Sequence, residues 1–314
     1  MNTFSIDSIL KQGRLLFAAS LAALGVVNLA CAHTTDVFLP VIPWVPASPW
    51  LGWLTGLSLI LAGVSILVNI GARVAATFAG ILFLLCDLAL QISRVAASPW
   101  DVGVRTGAFE TLILGCSALI LAGTLRSDGR DLRPWERALN SLIFSARYLF
   151  AGSAIVFGLD HYLVFGLIVS LVPPWIPGGG VFWASFTAIA FIAAGLSIAT
   201  GFLDKWAAAM MGLMFLLWFL VLHAPRVAGY PRSHDPDEWS SALIALGISG
   251  GSWILAASLS VNESRAVAIR PELVSSRVVG LEARSGDELR PESPRDGVRV
   301  ARLRIGPVDF SDRR

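Results

Sequence analysis

Long apolar segments alternate with short polar ones along most of the chain. Each apolar segment holds about 18 to 24 residues with few charges, which is the length that an α-helix needs to cross a hydrocarbon core of about 30 Å. Segments of this kind predict membrane-spanning helices, since a soluble protein cannot bury so many of them. The pattern predicts eight spans, at residues 14–32, 53–70, 74–93, 106–124, 148–171, 182–203, 206–224 and 239–260.

The second half of the chain repeats the first. The segment Arg14–Phe17 matches Arg147–Phe150 at a separation of 133 positions. Six further pairs are 132 positions apart: Gly63 and Gly195, Arg73 and Lys205, Gly80 and Gly212, Gln91 and His223, Arg94 and Arg226, and Gly115 and Gly247. A constant separation over four helices indicates a duplication. Because each half has an even number of spans, the two halves should be parallel repeats.

Composition supports the same fold class. Hydrophobic residues make up 55% of the chain, charged residues 15%, and the mean hydropathy is +0.69. We therefore expect an all-α polytopic membrane helical bundle with eight transmembrane helices. Residues 1–133 and 134–261 should form the two parallel four-helix repeats. The predicted surroundings are the lipid bilayer, and we expect no nucleic-acid partner.

The last 53 residues, 262–314, differ from the rest. They carry eleven basic and nine acidic residues and few large apolar ones, so they should be a disordered polar tail. Such a tail is suited to binding a redox or cytoplasmic protein partner.

Basic residues predict the orientation. Before residue 262, nine Lys and Arg residues lie on one side of the predicted membrane and four lie on the other. Because cytoplasmic segments of membrane proteins carry the excess of Lys and Arg, both termini should be cytoplasmic.

Strongly polar side chains interrupt several of the predicted spans. Such groups are costly in lipid and usually face a bundle interior or a cavity. At about 1.5 Å per residue most of them fall in the outer half of the bilayer. They are Asn28, Asp87, Gln91 and Glu110 in the first half, and Asp160, His161 and His223 in the second.

Two interpretations of these polar groups remain open. They can be interhelical hydrogen bonds and ion pairs that fix packing, or they can line an outward-opening polar pocket. Asp87, Gln91 and Arg94 are spaced i, i+4, i+7, which places them on one helix face where Arg94 could compensate Asp87. Arg226 is the equivalent of Arg94. Asp160 beside His161 could hold or relay a proton.

The sequence shows no common cofactor or metal motif. The four histidines are scattered without the H-x3-H spacing of a helical metal site, so we expect no bound metal. The cysteines form no CxxC motif, and no phosphate-binding loop follows a predicted strand.

Several short motifs recur in the same order in both halves. The second half has Gly158-Leu-Asp-His161 in its first helix, then Pro174-Trp-Ile-Pro177, Ala194-Gly195 and Lys205. The first half has Gly25, Pro43-Trp-Val-Pro46, Gly63 and Arg73, with Asn28 in place of the histidine. This order resembles the DoxX-like membrane proteins, over residues 14–260 as two tandem copies.

The resemblance implies a bacterial inner-membrane protein. The family includes the quinone-reducing membrane subunit of a thiosulfate oxidoreductase, so a quinone is the ligand or cofactor that the resemblance implies. The leading hypothesis is a quinone-interacting or accessory redox subunit with Asp160, His161 and His223 around its pocket. One alternative is a small-solute or proton-coupled transporter that uses Asp87 and Asp160. Another is a non-catalytic scaffold that recruits a partner through its tail. Whether the protein is an enzyme stays open.

Overall fold

The computed structural model describes residues 3–30, 49–125, 134–229 and 238–261. Within these ranges the chain forms helices joined by short turns, and no strand occurs there. The predicted tail at 262–314, the loop motif at 43–46 and residues 126–133, before the second predicted repeat, lie outside the described residues.

Nine helices are described, and eight of them are long and apolar enough to cross a membrane. This confirms the predicted all-α bundle of eight spans. The helices are α1 (Thr3–Ala30), α2 (Pro49–Val68), α3 (Ala72–Ala97), α4 (Val102–Thr124), α5 (Pro134–Leu163), the short α6 (Phe165–Leu171), α7 (Gly179–Thr200), α8 (Asp204–Gly229) and α9 (Glu238–Val261).

The bounds of the first and fifth spans differ from the prediction. Helix α1 begins at Thr3 and α5 at Pro134, each more than ten residues earlier than the apolar segment suggests. The fifth apolar segment also does not form one helix to residue 171, because Val164 leaves the helical conformation at φ −113° and ψ 35°. Hydropathy detects the part of a helix that lipid would surround, so it misses polar helical turns and breaks between two apolar helices.

The two repeats share backbone details. Helices α3 and α8 each contain a five-residue π-helical turn, Asp87–Gln91 and Phe219–His223, whose positions differ by 132. The turn before α3 has positive φ angles at Asn69 and Gly71, and the turn before α8 has them at the equivalent Gly201 and Leu203. A π-helical turn is rare in any helix, so its presence at equivalent positions shows that the copies fold alike.

Packing within each repeat is also equivalent. A side chain on Gly63 of α2 would meet the Ala18 carbonyl oxygen of α1 at 2.6 Å, and one on Gly195 of α7 would meet the Ala151 carbonyl oxygen of α5 at 2.6 Å. Glycines at these points let the first two spanning helices of a repeat approach closely.

The central helices of the bundle are α4 and α9. The buried share of residues in the most apolar part of the helix is 78% for α9 and 61% for α4. In every other described span this share is 44% or less. Helix α9 packs on α1 of the other repeat, where Gly250 lies against Gly13 and Phe17. Helix α4 likewise packs on α5, and Gly251 of α9 lies against Ser117 of α4. Each fourth helix therefore joins its own repeat to the first helix of the other one.

The expected equivalence of Gly115 and Gly247 is wrong. Gly115 lies against Phe83 of α3, whereas Gly247 lies against Ser20 of α1 and Leu114 of α4. Ser249 takes the place beside α8, where its hydroxyl donates to the Gly212 carbonyl oxygen at 2.8 Å. Equivalent positions of the two fourth helices are thus not 132 residues apart. The reason is that the connection before α9 is longer than the one before α4.

Candidate functional site

Asp160 of α5 forms an ion pair with Arg105 of α4. Arg105 donates from Nε to Oδ1 of Asp160 at 2.8 Å and from a second guanidinium nitrogen to the same oxygen. Thr106 donates to Oδ2 at 3.4 Å, and Arg105 also donates to the Pro99 carbonyl oxygen at 2.8 Å. The two charged side chains are only 14% and 5% exposed. Asp160 is therefore a paired carboxylate that links the first repeat to the second.

Arg105 was not among the site residues predicted from the sequence. It counted there only as one of the four basic residues on the predicted outer side. No spacing rule connects it to Asp160, 55 positions away. The equivalent interface between α9 and α1 has no such pair, since Val27 stands 133 positions before Asp160. The ion pair thus marks one of two related interfaces.

His161, the next residue along α5, faces a different set of helices. Its ring stacks on Trp218 of α8 at a centroid distance of 5.6 Å and an interplanar angle of 17°. Phe191 of α7 meets the same ring edge to face at 5.2 Å. Phe157 and Phe215 complete this group, which we call the aromatic cluster: Phe157, His161, Phe191, Phe215 and Trp218.

The hydrogen bonds of His161 define what its ring can do. Nδ1 lies 2.8 Å from the Phe157 carbonyl oxygen, which can only accept, so Nδ1 carries a hydrogen. Nε2 is buried and has no hydrogen-bond partner among the described residues. In the neutral ring Nε2 is therefore an acceptor without a donor. A buried polar atom of this kind needs an explanation.

The repeat position of His161 in the first half is occupied by Asn28. Asn28 is 1% exposed, and its amide donates to the Thr55 hydroxyl of α2 at 2.8 Å. The positions equivalent to Phe191 and Trp218 hold Leu59 and Cys86. The first repeat therefore keeps a polar group at this position but has no aromatic cluster around it.

His223 and Arg226 lie farther along α8. Arg226 pairs with Glu238 at the start of α9, and these side chains are 39% and 26% exposed. The charges of this pair act on His223, whose Nδ1 is buried without a partner among the described residues. His223 is thus associated with the Arg226–Glu238 pair, while His161 belongs to the aromatic cluster.

Asp87 lies at the start of the π-helical turn of α3. It is 8% exposed, and neither carboxylate oxygen has a hydrogen-bond partner in the described part of the chain. Arg94 does not reach it and instead donates to Oε1 of the buried Gln91 at 3.3 Å. The predicted shared face of Asp87 and Arg94 does not form, because an extra residue in a helical turn rotates all later residues of the helix by about 100°.

Glu110 is half-buried on α4, on the face shared with Leu114 and Ser117, which contact α9. The predicted polar residues therefore do not form one pocket. Asp160 pairs with Arg105, His161 belongs to the aromatic cluster and His223 lies beside the Arg226–Glu238 pair. Those of the first repeat are distributed over α1, α3 and α4. Among the described residues no group of three or more His, Cys, Asp or Glu could hold a metal ion.

Comparison with protein-family models, with curated proteins and with solved structures gives no significant match.

Proposed function

We propose that the protein is a DoxX-like protein of the bacterial inner membrane that binds a quinone at the aromatic cluster of its second repeat. The observation that carries the proposal is the unpartnered Nε2 atom of His161, buried between Trp218 and Phe191. Aromatic side chains suit a flat ring, and an imidazole suits the oxygen on that ring.

Access to the aromatic cluster fits a ligand dissolved in lipid. His161 and Trp218 are partly exposed, whereas Phe157, Phe191 and Phe215 are buried. A hydrophobic ring could thus approach the imidazole from the bilayer side and rest against the buried phenylalanines. Apolar surroundings with one convergent polar group are typical of small-molecule sites.

The tautomer of His161 favours a particular form of the ligand. Because Nδ1 donates to the Phe157 carbonyl oxygen, the neutral ring offers a lone pair at Nε2. It would accept a hydrogen bond from the hydroxyl group of a quinol and could take up that proton when the quinol is oxidised. The protonated ring would instead donate to a quinone carbonyl. The electrons would pass to or from a partner protein, which is the role of an accessory redox subunit.

The orientation predicted from the basic residues is part of the proposal. Arg14 of α1 donates to Asn69 in the α2–α3 turn, and Arg147 of α5 pairs with Asp204 at the start of α8. These arginines thus lie at the same end of both repeats, the end that the excess of basic residues assigns to the cytoplasm.

Binding of a radiolabelled short-chain quinol to the protein in lipid nanodiscs tests the proposed site. His161→Ala should weaken binding at least tenfold, equivalent to about 1.4 kcal/mol. His223→Ala, which removes a histidine of the same repeat outside the aromatic cluster, should leave affinity within about twofold. Equal affinities of wild type and His161→Ala would remove the quinone site.

A second candidate function, a proton-coupled transporter, is favoured by one observation only. Of the two acids assigned to coupling, Asp160 is held by Arg105, whereas Asp87 has no hydrogen-bond partner in the described residues. A transporter would therefore depend on Asp87. Flux of a solute into proteoliposomes that depends on both pH and Asp87 would support it, and flux equal to that of empty vesicles would count against it.

A further inference from the structure

Asp87 is a buried carboxyl group with no hydrogen-bond partner among the described residues, and the quinone proposal does not use it. We propose that Asp87 is a proton-binding site of the first repeat, and that the π-helical turn it begins allows α3 to respond when the proton leaves. This site is separate from the aromatic cluster and does not depend on the proposed quinone.

The surroundings of Asp87 require it to be neutral. With 8% of its surface exposed and no hydrogen-bond partner for either oxygen among the described residues, an ionised carboxylate would lose its hydration without replacement. Such an unpaired buried charge is avoided in proteins, and the group takes up a proton instead. The carboxyl group should therefore be protonated in this conformation.

The helices packed around Asp87 offer few charges. Helix α2 has no charged residue, and on α4 the guanidinium of Arg105 is held by Asp160. The acidic residue of α4, Glu110, lies on the face toward α9. The titratable neighbours of Asp87 are the thiols of Cys86 on α3 and Cys116 on α4.

Arg94 is the cation that could neutralise an ionised Asp87. In a regular α-helix, residues seven positions apart lie on one face, about 20° from each other. The π-helical turn between the two side chains rotates Arg94 away, and its guanidinium rests on Gln91 at 3.3 Å, a long hydrogen bond. If the turn returned to α-helical geometry, Arg94 would face Asp87.

The two states of α3 therefore match the two charge states of Asp87. The protonated acid fits the observed π-helical turn, and the ionised acid fits a regular helix in which Arg94 is its partner. Only the short outer end of α3, Ile92–Ala97, would have to rotate. The second repeat has the same π-helical turn but Phe219 in place of the acid, and its Arg226 is held by Glu238. The response would be confined to the first repeat.

Infrared spectroscopy of the full-length protein in liposomes tests the site, through the carbonyl stretch of a protonated carboxyl group. The wild type at neutral pH should show a buried carboxyl band that Asp87→Asn loses. The control Asp101→Asn, which changes an exposed carboxylate at the start of α4, should keep it. Should Asp87→Asn fail to fold, Asp87→Glu must retain a band at a shifted position. Identical spectra of wild type and the Asp87 variant would overturn the proposal.

The same band tests the role of Arg94. In Arg94→Gln the ionised state has no partner, so the band should persist to higher pH than in the wild type. The control Arg226→Gln, at the equivalent position of the second repeat, should leave the titration unchanged. An Arg94→Gln titration that coincides with the wild type would refute the proposed rearrangement, and the spectra of the Asp87 variants would still decide whether the proton is bound there.

Discussion

The ion pair between Arg105 and Asp160 should make the folding of the two repeats interdependent. Its side chains are 14% and 5% exposed, so water cannot replace either partner. Asp160→Leu or Arg105→Met leaves one buried charge unpaired, which costs about 3–5 kcal/mol in buried pairs of this kind. The cost of Asp160→Leu should lie near the lower end of this range, because the unpaired Arg105 guanidinium keeps its hydrogen bond to the Pro99 carbonyl oxygen.

The double variant Arg105→Met/Asp160→Leu should be far less destabilised than the sum of the single variants. It removes both charges at once and replaces them with apolar side chains, a change that is often neutral in buried pairs. The assay is reversible unfolding in mixed micelles, followed by tryptophan fluorescence, for the wild type, both single variants and the double variant. The coupling energy is the non-additive part of this cycle.

The Arg226–Glu238 pair provides the control, since it joins two helices in the same way but is 39% and 26% exposed. The same cycle there should give a coupling energy below about 1 kcal/mol. If the Arg105 and Asp160 variants proved additive, or coupled no more strongly than this control, burial would not strengthen the inter-repeat ion pair and the predicted interdependence of the repeats would be refuted.

Two further predictions concern packing and topology. Gly250→Leu should destabilise the bundle by about 1–3 kcal/mol or more, because a side chain there would meet the Phe17 backbone nitrogen at 2.5 Å. The control Gly152→Leu places its side chain in open space and should change the thermal unfolding temperature little. Single cysteines at Ser98, in the turn after α3, and at Gly178, in the turn before α7, should react with an impermeant thiol reagent from the same side of the membrane. A single cysteine at Asn69 should react from the opposite side. Labelling of Ser98 and Gly178 from opposite sides would contradict parallel repeats.

The number of helices and their duplication were predictable from the sequence, since both depend on local features. Apolar length determines the spans, and pairs such as Gly63 and Gly195 keep their spacing because the same close helix contact selects glycine in each copy. The register of the fourth helices was not predictable in this way. Gly115 and Gly247 share a spacing by coincidence, while the lengthened connection before α9 brings Ser249 to the equivalent contact.

The candidate site was harder to predict, because a sequence gives the face of a residue only if the helix is regular. The i, i+7 spacing of Asp87 and Arg94 predicts a pair, and the π-helical turn between them removes it. No local pattern distinguishes such a turn from the apolar helix around it. Asp160 and His161 are adjacent in sequence, yet about 100° separates neighbouring helix positions, so they reach different helices.

Duplication explains why two such different sites can occur in one bundle. Positions that face the interior of a repeat are equivalent in backbone, yet Asn28 corresponds to His161, Cys86 to Trp218 and Asp87 to Phe219. Each substitution moves the first repeat toward small polar groups and the second toward aromatic rings. Because each copy packs through its own first two spanning helices, with the same glycine contacts, one interior could change without disturbing the other. The proton site proposed at Asp87 and the ring-ligand site proposed at His161 are therefore compatible within one duplicated fold.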